Sequence, residues 1–344
     1  MKHDVVHKAV RTAVGVAAVF ALMSCDHKEL CFDHGAHSPS VKVSVLTDWE
    51  REWERTYDYD WKTNWNSAWG YTYDELRPSA RSGIRATVYR EGEYPSENNL
   101  PAEGGMLPLR EGKSALLFYN NDTEYIVFSD LGKVASARAT TRTLARGGFK
   151  AMHVGERTVD QPDQLYGHYI ESYTAIPGLE VVTLPVTMRP LTYTYLIRYE
   201  FSHGLQYVAL ARGAIAGMAE SVYLTDGHTG DEAATVMYDC TLKPFGAEAV
   251  VKSFGVPSYP GDHYVRASEP EGKFMINLQV RLTNGEYKNF EFDVTRQVEG
   301  QPRGGVITIS GIEITDEEGM SGSGAFNPDV EGWGEWEDIE LPLN

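Results

Sequence analysis

"FMINLQVRLTNGEYKNFEFDV", residues 274–294, decides the fold class. Phe274, Ile276, Leu278, Val280 and Leu282 fall on one parity, Asn284-Gly285 follows, and Phe290, Phe292 and Val294 return on alternate positions. Strict alternation gives an extended strand one apolar and one wet face. Asn-Gly supplies the positive φ angles of a tight turn. The stretch therefore reads as a β-hairpin with one buried face.

The same period recurs on either side of it. In "LTYTYLIRYEF" (191–201) the residues Leu191, Tyr193, Tyr195, Ile197, Tyr199 and Phe201 share a parity, and Leu196 is the one apolar departure. Val41, Val43 and Val45, then Ile84, Ala86 and Val88, repeat the pattern. Apolar runs at 114–119 and 125–128 flank Asn120-Asn121-Asp122 and predict a second hairpin. In "VITISGIEIT" (306–315) the parity shifts between Ile309 and Ile312, which predicts a bulge at Gly311. Helical periodicity is scarce; Leu205 to Ala219, interrupted by Gly213 and Gly217, reads as helix or strand. Short strands between Gly- and Pro-rich turns predict an all-β protein of antiparallel sandwiches. Turn residues from Ile176-Pro177-Gly178 to Pro185 divide it into modules at 41–180 and 181–344.

The first 24 residues carry Lys2, Lys8 and Arg11 and then the uncharged run Ala13 to Met23, the layout of an export signal. That run is shorter than the roughly 20 apolar residues a spanning helix needs. Leu22-Met23-Ser24-Cys25 resembles the lipobox of bacterial lipoproteins, which makes Cys25 the expected acylated first residue of the mature chain and residues 25–40 a lipidated tether. Several acyl chains hold a membrane stably where one does not. The expected place is the outer membrane, facing the exterior.

The chain carries a net charge of −18 and no clustered Lys/Arg stripe, which argues against nucleic acid as a partner. Beyond Cys25, Cys31 and Cys240 are left either to pair or to remain thiols. His27, Cys31, Asp33, His34 and His37 crowd together without metal-ligand spacing, so neither a metal nor a cofactor is expected. Nucleophile-elbow, zinc-protease, phosphate-loop, dinucleotide and calcium-loop patterns are missing, and the reading is not an enzyme.

Trp49, Trp53, Tyr57, Trp61, Trp65, Trp69 and Tyr73 recur every four residues, within an insertion spanning 49–75. Four-residue spacing keeps neighbours on one helical face, but Asp58, Asn64, Asn66 and Gly70 interrupt a single helix. The segment reads as a broken helix or ordered loop over one end of the first sandwich. Its tryptophans Trp49, Trp53, Trp61, Trp65 and Trp69 either stack on the apolar faces of glycans or partners, or bury themselves against the sandwich.

Six stretches carry a family likeness: "CDHKELCFDH" (25–34), "VSVLTDWE" (43–50), "LLFYNNDTEYIVF" (116–128), "LPVTMRPLTYTYLIRYEF" (184–201), "AIAGMAESVYL" (214–224) and "GAFNPDVEGWGEWEDIEL" (324–341). Through them the chain resembles the exported Bacteroidetes lipoproteins of the fimbrillin-like and fimbrium-anchor superfamily, and within it a domain group of unknown function. The resemblance implies two tandem transthyretin-like β-sandwiches on a lipid anchor. It implies a role in anchoring, capping or assembling fimbriae or in adhesion, with fimbrial subunits as partners through strand complementation. It also implies last strands within Phe326–Leu341, with Trp333 or Trp336 packed inward. The alternative function is a glycan-binding surface lipoprotein using the tryptophan segment.

Overall fold

A computed structural model describes residues 40–53, 60–145, 157–260, 273–321 and 337–338. Cys25, Cys31 and most of the stretch at 324–341 lie outside the described residues. In chain order the strands are β1 (Ser40–Trp49), β2 (Gly83–Tyr89), β3 (Ser96–Pro101), β4 (Gly104–Arg110), β5 (Gly112–Tyr119), β6 (Ile126–Ser129), β7 (Arg138–Thr141), β8 (Leu144–Ala145), β9 (Thr158–Val159) and β10 (Tyr166–Ala175). They continue as β11 (Val182–Pro190), β12 (Tyr193–His203), β13 (Val208–Ala219), β14 (Val222–Tyr223), β15 (Ala233–Lys243), β16 (Gly246–Ser253), β17 (Met275–Leu282), β18 (Tyr287–Asp293), β19 (Gly305–Glu313) and β20 (Glu337–Asp338). Two one-turn helices, α1 (Thr295–Glu299) and α2 (Asp316–Met320), follow β18 and β19. Among the described residues no helix is long and apolar enough to cross a membrane.

The chain is all-β. A seven-stranded sheet has the order β3-β2-β5-β10-β11-β1-β4. An eight-stranded sheet runs β18-β17-β13-β15-β16-β12-β19, with β9 beside β15. Each sheet curls around its own core, because residues from strands along its whole width meet in one cluster. Val43, Ile84, Leu107, Phe118, Tyr166 and Met188 do so in the first; Tyr195, Ile215, Val236, Val251, Ile276 and Ile307 do so in the second. The alternating positions noted in β1, β2 and β17 are buried, whereas β12 is buried on both parities from Tyr193 to Tyr199, and Phe201, Phe290 and Phe292 are half-buried. Most pairs are antiparallel, but β1 lies parallel to β11, β12 to β19 and β9 to β15. The chain leaves the first sheet at Pro190 and enters the second at Tyr193.

The hairpin at 274–294 pairs Met275 with Asp293 through Arg281 with Tyr287. Its turn is a three-residue loop in which Gly285 alone takes a positive φ, +88°, and Leu282 exchanges backbone hydrogen bonds with Glu286 and Gly285. The bulge at Gly311 is present: Glu200 pairs with Ser310 and Phe201 with Ile312, leaving Gly311 unpaired at φ +80°. Residues 208–219 are strand. A Cβ on Gly213 would sit 2.3 Å from the Tyr238 ring and 2.8 Å from the Tyr199 hydroxyl, so the residue makes room for two buried tyrosines.

The expected hairpin between 114–119 and 125–128 is corrected. β5 pairs with β2 and β10, whereas β6 pairs with β7 in a separate three-stranded sheet completed by β14. The polar residues between them serve as anchors for long-range contacts. Buried Asn120 accepts from Tyr166 N at 2.7 Å and donates to Gln164 O at 3.1 Å. The Asp163 carboxylate accepts from the backbone N–H groups of Glu124, Tyr125 and Ile126. β20 pairs with β8, matching Glu337 to Ala145 and Asp338 to Leu144.

Candidate functional site

The aromatic segment folds as a loop with two 3-10 turns, Ser67–Trp69 and Asp74–Leu76. Asn66 caps the first turn, its side-chain oxygen accepting from Ala68 N at 3.0 Å. The segment does not lie over the end of the first sandwich. Trp53, Trp61 and Tyr73 pack with Leu196 of β12 and Val306 of β19, and Trp65, Trp69, Tyr71 and Leu76 surround them. Leu196 and Val306 lie on the parity opposite the second core, so the loop covers the outer face of the second sheet. This explains the one apolar departure in β12: Leu196 is fully buried because a lid lies over it.

The rings interlock edge to face, the arrangement their quadrupoles favour. Trp53 meets Trp65 at 5.1 Å and Trp61 at 5.6 Å, and Trp65 meets Trp69 at 4.9 Å. Trp65 Nε1 donates to Tyr71 O at 2.6 Å. Trp53 and Trp61 are 1% and 6% exposed, so of the two alternatives open for them, stacking on a ligand or burial, these two rings take burial within the lid. Trp65 and Trp69 are half-buried. Trp49 belongs to the first sheet instead, edge-on to Tyr166 at 4.9 Å with Nε1 donating to Ala102 O.

Beneath the lid lies a charged cluster that the sequence reading missed. Arg198 and Glu248 sit directly opposite each other on β12 and β16. Both are buried, with Arg198 Nη1 3.1 Å from Glu248 Oε2. The same Nη1 donates to Trp69 O at 2.9 Å, which ties the lid to the sheet. The guanidinium carbon is 4.0 Å from the Phe245 ring centroid, and Lys243 Nζ is 3.0 Å from Glu248 Oε1. Burial, reinforced by the Glu248 charge, raises the Tyr71 hydroxyl above its ordinary value. The hydrogen bond to Glu248 raises Lys243 in turn. The available signal was Arg198 on the same β12 parity as Leu196, two polar-face positions that both needed a cover. A groove of about 520 Å³ borders the lid, lined by Lys62, Trp65, Tyr71, Tyr73, Asp74 and Glu75 among others.

Cys240 is a free thiol whose ionisation burial pushes far above the usual range, so it is unsuited to nucleophilic work. Among the described residues no three His, Cys, Asp or Glu converge as metal ligands.

Residues 79–239 match the family described as Domain of unknown function (DUF5119). The match runs from just before β2 into β15, so the lid tryptophans precede it, Arg198 lies inside it, and Lys243 and Glu248 follow it. A Bacteroides ovatus protein named as a candidate fimbrium anchoring subunit, Fim4B, is 22% identical over 297 residues, which are 79% of this chain and 88% of that protein. The crystal structure of a candidate adhesin from Bacteroides ovatus superposes with a TM-score of 0.57 at 18% identity, covering 85% of this chain and 97% of that one. That likeness carries the fold. With the family match and the curated relative, it bears out the resemblance to the fimbrium-anchor superfamily read from the sequence.

Proposed function

We propose that this chain is a surface lipoprotein of fimbrial-anchor type, held in the outer membrane by acylation of Cys25, which anchors, caps or helps assemble fimbriae or mediates adhesion. The observation that carries the reading is the similarity to the candidate fimbrium anchoring subunit across most of both chains. The lipobox-like Leu22 to Cys25 and the tether after it support the membrane end. The two modules, 41–180 and 181–344, form the projecting part. Among the described residues each main sheet ends in strands with one unpaired edge, β3 and β4 in one and β18 and β19 in the other, as strand addition by a fimbrial subunit requires. No catalytic role is assigned.

Deleting the gene and comparing fimbrial length and retention on cells tests the function; unchanged fimbriae and unchanged adhesion would overturn it. Labelled palmitate should enter the wild-type chain and not Cys25→Ala, and Cys25→Ala should leave the membrane fraction. Incorporation independent of Cys25 removes the anchor from the proposal. The glycan reading narrows to the groove beside Trp65, Tyr71 and Tyr73, where rings and the carboxylates of Asp74 and Glu75 meet. A glycan array with wild type and Trp65→Ala tests it, and signal insensitive to the substitution ends it.

A further inference from the structure

A second cavity lies where the chain passes from the first sheet to the second, away from the lid. It holds about 450 Å³ and is lined by His168 and Tyr169 of β10, Arg189 of β11, Tyr193 of β12, Asp226 and Arg303, among others. Volumes of a few hundred Å³ with a small number of convergent polar groups are typical of small-ligand sites.

Arg303 is the anomaly in it. The residue is 8% exposed, yet it has no ion-pair partner among the described residues. Nη2 donates to Gly227 O at 2.6 Å, and the guanidinium carbon stands 5.1 Å from the ring centroids of both Tyr193 and Tyr259. Nε is sealed from solvent without a hydrogen-bond partner. Nη1 makes no hydrogen bond to a described residue and is not sealed, so it is the guanidinium nitrogen left open to a ligand in the cavity that Arg303 lines. Among the described residues three arginines are buried: Arg198 has the Glu248 carboxylate, Arg212 sends two N–H groups to Gln279 Oε1 at 3.0 and 2.6 Å, and Arg303 has a single backbone carbonyl. A buried guanidinium without its anion is costly, and such a group calls for a counter-ion.

The surroundings select the anion. Arg189, with its side chain 63% exposed, adds a second positive charge at the rim, 3.8 Å from Glu50. Burial holds His168 below the ordinary imidazole range, so at neutral pH it offers a neutral hydrogen-bonding ring. Asp226 uses Oδ1 for the His228 backbone and ring at 3.1 and 2.6 Å, which leaves Oδ2 for a hydroxyl donor. That carboxylate repels a ligand carrying several negative charges. A ligand with one carboxylate, many hydroxyls and an apolar ring face for the tyrosines fits better than an acidic peptide.

We infer that the cavity around Arg303 is a binding site for an acidic sugar, with Arg303 Nη1 receiving the carboxylate and His168 and Asp226 the hydroxyls. The test is calorimetric titration of the full chain with glucuronate, N-acetylneuraminate, glucose and an acetylated Asp-Glu dipeptide. The expected result is saturable binding of at least one of the two acidic sugars, none of glucose, and a loss of about tenfold or more in Arg303→Gln, the scale of a charge-assisted hydrogen bond. Arg189→Ala, at an exposed position, keeps the test open if Arg303→Gln fails to fold; it should weaken acidic-sugar binding severalfold and leave the melting temperature unchanged. Binding of glucose as strong as glucuronate, binding of the dipeptide alone, or no binding of any probe would each overturn the assignment.

Discussion

Arg198 and Arg303 make a controlled comparison within one molecule. Both are nearly buried, both face aromatic rings, and both donate to a backbone carbonyl, Trp69 O in one case and Gly227 O in the other. They differ in the anion. Arg198 has Glu248 directly opposite on the neighbouring strand and a lid of tryptophans above it; Arg303 has a cavity. A ring face is worth about 2 kcal/mol to a desolvated cation, so the rings account for neither site alone. The carboxylate decides which arginine has its charge matched within the fold and which borders a cavity with its charge unmatched.

The largest effect expected on this comparison comes from opening the closed site. Trp53 is the ring at the centre of the lid, and Trp53→Ala should cost about 3–5 kcal/mol in urea denaturation, as large-to-small core changes do. A loss below 1 kcal/mol would mean that the lid is not packed as described. Glu248→Ala comes next. It leaves Arg198 buried with only Glu200, 3.9 Å away and partly exposed, as a substitute. Removing one partner of a buried pair costs about 3–5 kcal/mol, and the nearby Glu200 puts the expected loss near the lower end, about 3 kcal/mol. The double variant Arg198→Met with Glu248→Leu should recover most of that loss, because the one charge it leaves without its partner, Lys243, reaches solvent.

Arg303→Met sharpens the contrast from the other side. No carboxylate is stranded by it, and the Gly227 carbonyl loses one donor, so stability should change by no more than about 1 kcal/mol. Equal losses for Glu248→Ala and Arg303→Met would remove the distinction between the two sites.

The comparison also marks where sequence reading reaches its limit. Alternation located the buried faces of β1, β2, β12 and β17, and a parity slip located the bulge at Gly311, because both signals are local to a few residues. The aromatic repeat was visible, but its partner Leu196 lies more than a hundred residues away, and no local pattern says which sheet a loop will cover. Leu196 itself was the clue, an apolar residue on the polar parity with nothing nearby to bury it. Asn120-Asn121-Asp122 misled for a related reason. Turn-forming side chains also serve as anchors, and the bond from Tyr166 N to Asn120 Oδ1 crosses two strands that alternation cannot pair. Arg303 is the last Lys or Arg in the sequence, and no local pattern marks it further. Its isolation is a fact of three dimensions.

A third charged arrangement, at the surface and partly open to water, gives the smallest effect. Thr315 and Glu318 form a capping box at the start of α2, and Lys288 of β18 donates to both Glu318 carboxylate oxygens at 2.6 Å. The Lys288 hydrogen bond first, and then the Thr315 backbone N–H, hold the Glu318 carboxyl down at about 2, from an ordinary value of 4.5. A group whose folded value is depressed contributes stability that is present above its unfolded value and is lost as pH falls through the folded one. Wild type should therefore melt slightly above Glu318→Gln at pH 7, and the gap should close as pH falls from 4.5 to about 2. Because water and salt screen an exposed pair, raising the ionic strength at pH 7 should narrow the same gap, whereas it should leave the Glu248→Ala loss beneath the lid nearly unchanged. A gap for Glu318→Gln that persists at pH 2 would show that the capping hydrogen bonds of the neutral side chain, and not the charge, tie α2 to β18.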